Sequence, residues 1–142
     1  MTFQERTAWA GLVLTAVVVT AYVVAVLRLA DGGPVSEVDY QVPLLWSLGL
    51  GILSTIVATI AISMIWHGGR QEADVRDKEI ERFARNVSTA FMVIGGLAGM
   101  ILAMVEADWF WIANAIYLSF ALSAILEGIT KIAAYRFGFQ QW

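Results

Sequence analysis

The chain has 142 residues, 59% of them hydrophobic, with a mean hydropathy of +0.71 and a formal net charge of −3 at neutral pH. A soluble domain this short buries only about two-thirds of the surface its unfolded chain exposes, so an apolar excess of this size has to face lipid. The weak negative charge and the lack of a basic stripe argue against direct nucleic acid binding, and the absence of cysteine excludes disulfides, thiol redox chemistry and thiolate metal sites.

By length the chain is expected to be a single membrane domain over 1–142, containing four apolar runs. Each run is long enough to cross about 30 Å of hydrocarbon as a helix rising roughly 1.5 Å per residue. The first span, 7–29, is built on the uncharged "TAWAGLVLTAVVVTAYVVAVL". That run exceeds the roughly 7–15 residues of a signal-peptide core and no clear A-x-A site follows it, so the helix is expected to be retained. The second, 43–66, reads "PLLWSLGLGILSTIVATIAISMIW", with Pro43 suited to a first turn where a missing N–H costs nothing. The third, 86–105, reads "NVSTAFMVIGGLAGMILAMV", and the fourth, 109–134, opens "WFWIANAIYLSFALSAIL" before its first charge at Glu127. None alternates as the strands of a membrane barrel do.

Between the second and third spans lies a charged segment, 67–85, with five basic and five acidic residues in "RQEADVRDKEIERFAR". Cytoplasmic loops collect Lys and Arg. Arg70, Arg76, Lys78, Arg82 and Arg85 would share a side with Arg6 before the first span and with Lys131 and Arg136 at the end of the fourth. Only Arg28 falls on the other side, where Asp31, Glu37, Asp39, Glu106 and Asp108 gather. Both termini are therefore expected in the cytoplasm, and the expected location is the inner (cytoplasmic) cell membrane. The tryptophans agree, with Trp9, Trp66 and Trp142 at inner boundaries and Trp46, Trp109 and Trp111 at outer ones, where amphipathic rings prefer the headgroup level.

The charged segment is spaced for a helix. Opposite signs recur three or four residues apart, as in Glu81 with Arg85, and Ile80, Phe83 and Val87 share one face. No Gly or Pro interrupts from Gln71 to Ile94, so the third helix is expected to extend into the cytoplasm, with the break at Gly68 and Gly69. A charge run is usually a solvated face that anchors topology. The sharper reading is a docking surface for a cytoplasmic protein formed by Arg76, Lys78, Ile80, Arg82 and Phe83. Asp74, Asp77 and Glu81 share a face, but neighbouring cations neutralise them and no His joins, so no metal site is expected.

In lipid, small and hydroxylated residues mark helix contacts. The second span has Ser47, Gly51, Thr55, Thr59 and Ser63 at four-residue spacing, ending at His67. The third has the GxxxG pair Gly95 and Gly99, and the fourth has Ala115, Ser119, Ser123, Glu127 and Lys131. Gly51, Gly95 and Gly99 are expected to pack helices within one bundle, with a polar path or a homo-oligomer seam as the alternative. A four-residue series drifts about 40° per step on a 3.6-residue helix, so it winds round the cylinder. The short "EAD" turn makes the third and fourth spans antiparallel neighbours.

Glu127 is the one acidic residue embedded in an apolar run, and such residues are functional suspects. It falls near the inner boundary, one turn before Lys131, so a snorkelling ion pair is the simpler reading. Asn114 is expected to hydrogen-bond across helices, and His67 to be interfacial. One histidine cannot supply bis-His haem ligation, and no HExxH, GxSxG or Walker pattern occurs, so neither cofactor nor enzyme activity is expected.

Two stretches carry a family resemblance. "DVRDKEIERF" is similar to the "DERDxEI" loop signature of a group of small bacterial four-helix membrane proteins of unknown function, with Val75 in place of the second acidic residue. "AMVEADWFWIANAIYLSFALSAIL", followed by "KIAAYRFGF", resembles that group's last hairpin, with Glu127 where a small residue is expected. The resemblance implies the four-span fold and the membrane location. It also implies a cytoplasmic protein partner, since some members are encoded beside small helix-turn-helix regulators.

The expectation is thus an all-α integral membrane protein, a four-transmembrane-helix bundle with both termini cytoplasmic. Its function is read as non-enzymatic, that of a regulatory or accessory subunit. The alternative is a small oligomeric transporter or channel using Thr55, Thr59, Ser63, His67, Asn114, Glu127 and Lys131.

Overall fold

The computed structural model describes residues 3–66 and 75–138. All four long elements are helices: α1 (Phe3–Ala30), α2 (Gln41–Ile65), α3 (Val75–Met104) and α4 (Trp109–Phe137), with a 3-10 turn at Val35–Glu37 between the first two. Each helix is long and apolar enough to cross a membrane. α3 runs unbroken from the charged segment into the apolar run, because no Gly or Pro frees its backbone until Gly95. The expected break at Gly68 and Gly69 lies outside the described residues.

The α3–α4 connection is as tight as its length demands. The Glu106 N–H donates to the Ala103 carbonyl (3.1 Å) and the Ala107 N–H to the Leu102 carbonyl (3.0 Å), with Glu106 in left-handed backbone at φ 53°. That pair of bonds is a Schellman cap, which satisfies the last carbonyls of α3 and turns the chain back on itself. After α1 the reversal uses Asp31 (φ 43°) and Gly32 (φ 78°).

α3 and α4 share the most extensive interface, and α1 packs on both α4 and α2. The spatial order is therefore α2–α1–α4–α3. α2 and α3 have no packed interface with each other, so the ring of helices is open on that side. α2 buries only Ser47, and large side chains such as Leu45, Leu53 and Val57 are more than half exposed, as a lipid-facing helix requires.

Small residues let α3 and α4 approach. A Cβ on Gly95 would collide with the Ser119 side chain, and one on Gly99 would come within 2.8 Å of Ile116. The Ser123 hydroxyl donates to the Ser88 carbonyl across the same interface at 2.9 Å. Gly128 does the same for α4 and α1, where a Cβ would stand 3.1 Å from Leu12. A Cβ on Gly51 would stand 3.8 Å from Val18 of α1, an ordinary contact, so that site does not require glycine for a close approach.

Contacts at the two ends confirm antiparallel neighbours. At one end the Arg6 guanidinium lies 4.2 Å from the Trp66 ring centre, Arg136 pairs with Glu5 (3.4 Å), and the Tyr135 hydroxyl donates to Asp77 (3.0 Å). This end gathers the start of α1, the end of α2, the start of α3 and the end of α4. At the other, Tyr22, Val26, Phe110 and Tyr117 form a buried cluster against Val35, Tyr40 and Leu44. Within it the Tyr22 and Tyr117 rings are 4.6 Å apart, and Tyr40 meets Phe110 edge-on at 5.2 Å.

Candidate functional site: a polar trough facing the gap between α2 and α3

Glu127 and Lys131 stand one turn apart on α4, with Nζ and Oε1 2.7 Å apart and side chains 31% and 23% exposed. The acid precedes the base, the favourable order on a helix. They line a cavity of about 250 Å³ to which all four helices contribute. Its floor is the close crossing of α1 and α4, with Ala8, Gly11 and Leu12 facing Ala124 and Gly128. Thr55 of α2 and Glu81 of α3 stand on its two flanks. Among the described residues those flanking helices share no extensive interface, and the cavity lies between them over the α1–α4 crossing.

The trough is amphipathic along its length. Towards the terminal end lie Gln4, Thr7, Glu81, Lys131 and Tyr135; towards mid-bundle lie Gly11, Leu12, Thr15, Thr55 and Ala124. Hydrogen bonds occupy only part of the polar set. The Thr7 hydroxyl donates to the Phe3 carbonyl (3.0 Å) and Tyr135 to Asp77. Glu127 and Glu81 each use Oε1, towards Lys131 and Arg85 respectively. The second carboxylate oxygen of each is left to accept from elsewhere.

The residues singled out in the sequence separate into distinct places. Thr55, Glu127 and Lys131 come together in the trough. Thr59 and Ser63 do not line it: their hydroxyls donate to Thr55 (2.8 Å) and Ile60 (2.8 Å) carbonyls of their own helix. The face of α2 that meets α1 follows the helical period through Ser47, Gly51, Ser54 and Ala58, so the strict four-residue series drifts off it and leaves Thr55 and Thr59 exposed. Asn114 is remote from Glu127, near the opposite end of α4, where it accepts from the Tyr22 hydroxyl at 2.6 Å and donates to the Phe110 carbonyl at 2.9 Å. It closes the aromatic cluster and is part of no continuous polar path with Glu127. His67 lies outside the described residues.

On α3 the docking candidates divide. Arg76, Lys78, Arg82 and Phe83 are exposed, Phe83 by 47%. Ile80 is completely buried, so it belongs to the core and not to an exposed ridge. The reason is the helical period: Ile80, Ala84 and Ser88 form one stripe, and all three are buried. Of the expected pairings in this segment, Glu81 with Arg85 forms at 2.8 Å.

The trough residues of α1 and α3 are new relative to the sequence reading. Thr7, Gly11 and Thr15 do carry a signal, the same four-residue series of small and hydroxylated side chains noted on α2 and α4. Nothing local distinguishes Glu81 from its acidic neighbours. Compared with protein-family models, with curated proteins and with solved structures, the chain matches none.

Proposed function

We propose that this is a non-enzymatic multi-pass protein of the bacterial inner membrane that works by binding, as a regulatory or accessory subunit docked to a cytoplasmic protein. The observation that carries the reading is the exposed start of α3, where Arg76, Lys78 and Arg82 form no ion pair with any described residue and Phe83 is half exposed. A basic surface with one aromatic ring has the composition of an interface anchor rather than of a lipid-facing flank. The concentration of Lys and Arg at this end of the sequence pattern supports its placement in the cytoplasm together with both termini. Resemblance to the small four-helix group with the "DERDxEI" loop supports the same partner class.

The test is charge reversal, R76E together with K78E, followed by affinity purification of the full-length protein from native membranes. The expected result is loss of a co-purifying cytoplasmic protein while the detergent-extracted variant keeps its thermal stability. Retention of every partner removes the reading.

The trough favours one alternative, a small oligomeric transporter or channel in which Glu127 exchanges a proton or cation, because Glu127, Lys131 and Thr55 are already gathered there. E127Q abolishing proton-dependent flux in proteoliposomes, with partners unchanged in the charge-reversed protein, would establish this second reading in place of the first.

A further inference from the structure

The trough is far larger than the roughly 10–15 Å³ that admits a single water. The gap between α2 and α3 would give straight onto acyl chains and headgroups, so its natural visitor is an amphiphile already in the leaflet. The polar and apolar ends of the trough run in the order a lipid needs, with charges near the helix ends and Leu12, Thr15 and Thr55 nearer mid-bundle.

The charges specify the headgroup. Two carboxylates, Glu81 and Glu127, and one ammonium, Lys131, line the space, and the Arg85 guanidinium paired with Glu81 brings the local charge to zero. A headgroup that is only anionic matches Lys131 but brings no cation to the two carboxylates. A quaternary ammonium has no N–H to give the two open carboxylate oxygens, and only Tyr135 is present where an aromatic cage needs several rings. A primary ammonium linked to a phosphate satisfies both sides: its N–H groups reach Glu127 and Glu81, and its phosphate accepts from Lys131, which spends one of three donors on Glu127. The Gln4 side-chain amide, on the rim and without a hydrogen bond among the described residues, can donate to the same phosphate.

We propose that the trough is a binding site for the headgroup of a phosphoethanolamine lipid, entered from the bilayer between α2 and α3. None of Arg76, Lys78, Arg82 or Phe83 lines the trough, so the site is distinct from the docking surface.

The experiment uses full-length protein, delipidated in detergent and titrated by native mass spectrometry with phosphatidylethanolamine, phosphatidylcholine and phosphatidylglycerol of identical chains. The expected preference for the ethanolamine lipid is about tenfold over each of the others, the scale of one charge-assisted hydrogen bond. E127Q and E81Q should each abolish that preference. T20A, at an exposed α1 position whose hydroxyl donates to its own helix, should alter nothing. If E127Q fails to fold, E81Q still decides, because the Glu81 side chain is exposed and its ion pair is with Arg85. Equal binding of the three lipids, or an undiminished preference in E81Q, overturns the proposal. Competition by free phosphoethanolamine as strong as by the lipid overturns the lipid assignment in favour of a soluble ligand.

Discussion

Glu106 occupies a backbone conformation that costs an L-residue about 1–2 kcal/mol, and it does so because the Schellman cap of α3 needs left-handed geometry at that position. Glycine there removes the strain and restores part of the cost as unfolded-chain entropy. E106G is therefore expected to raise stability by up to about 1 kcal/mol, and E106V, β-branched, to lower it by more than that, both read from unfolding in detergent. Tyr22 presents a second single-residue case. Its hydroxyl ends on the buried Asn114 carbonyl oxygen, a bond between α1 and α4 well away from water. Y22F leaves that oxygen without its donor and should cost about 1 kcal/mol in the same measurement, the usual size of an interhelical hydrogen bond in a membrane. Asn114 was readable as a cross-helix hydrogen-bonding residue from its type and place in an apolar run. Its partner was not, because Tyr22 lies 92 residues away in sequence.

At the scale of elements, Gly95 and Gly96 make a controlled pair. A methyl at Gly95 meets Ser119, whereas at Gly96 it meets nothing within 4 Å. G95A should destabilise the α3–α4 hairpin by about 1–3 kcal/mol, the range for overpacking, and G96A should be neutral or slightly stabilising through helix propensity. Equal effects from the two would show that α3 turns a different face to α4. The GxxxG pattern was legible as a packing motif, and the short turn named α4 as its partner. On α2 the same logic reached only part of the way: of the residues spaced by four, Thr55 lines the trough, whereas Thr59 does not and is exposed. Ile80 was misread for a related reason. Its apolar neighbour Phe83 lies on the same broad helix face, but three residues rotate the side chain far enough to move it from the α3–α4 seam into the open.

For the whole molecule, sidedness is the testable quantity. The chain contains no cysteine, so single-cysteine variants report without background. E37C is expected to react with a membrane-impermeant maleimide on intact spheroplasts, and E79C only after permeabilisation. The reverse pattern would invert the expected topology and remove the proposed cytoplasmic docking surface with it. The open side of the bundle is also a whole-molecule property, since no pair of adjacent elements contains it. It arises because α2 is tied to the rest through α1 alone, while α3 is tied through α4.

The number of long apolar helices and the continuity of α3 from Val75 of the charged segment into the apolar run were written in the residues. The length of an apolar run set against bilayer thickness, and the absence of a helix breaker, are properties of a one-dimensional string. The pairing of Glu127 with Lys131 belongs with them, because one helical turn separates the two. The order α2–α1–α4–α3, the gap it leaves, and the presence of Glu81 and Glu127 in the lining of one cavity emerged only in three dimensions. Apolar side chains attract lipid and protein almost equally, so hydrophobicity cannot choose a helix's neighbours; the steric fit of glycine and serine surfaces does, and that fit exists only once the helices face one another.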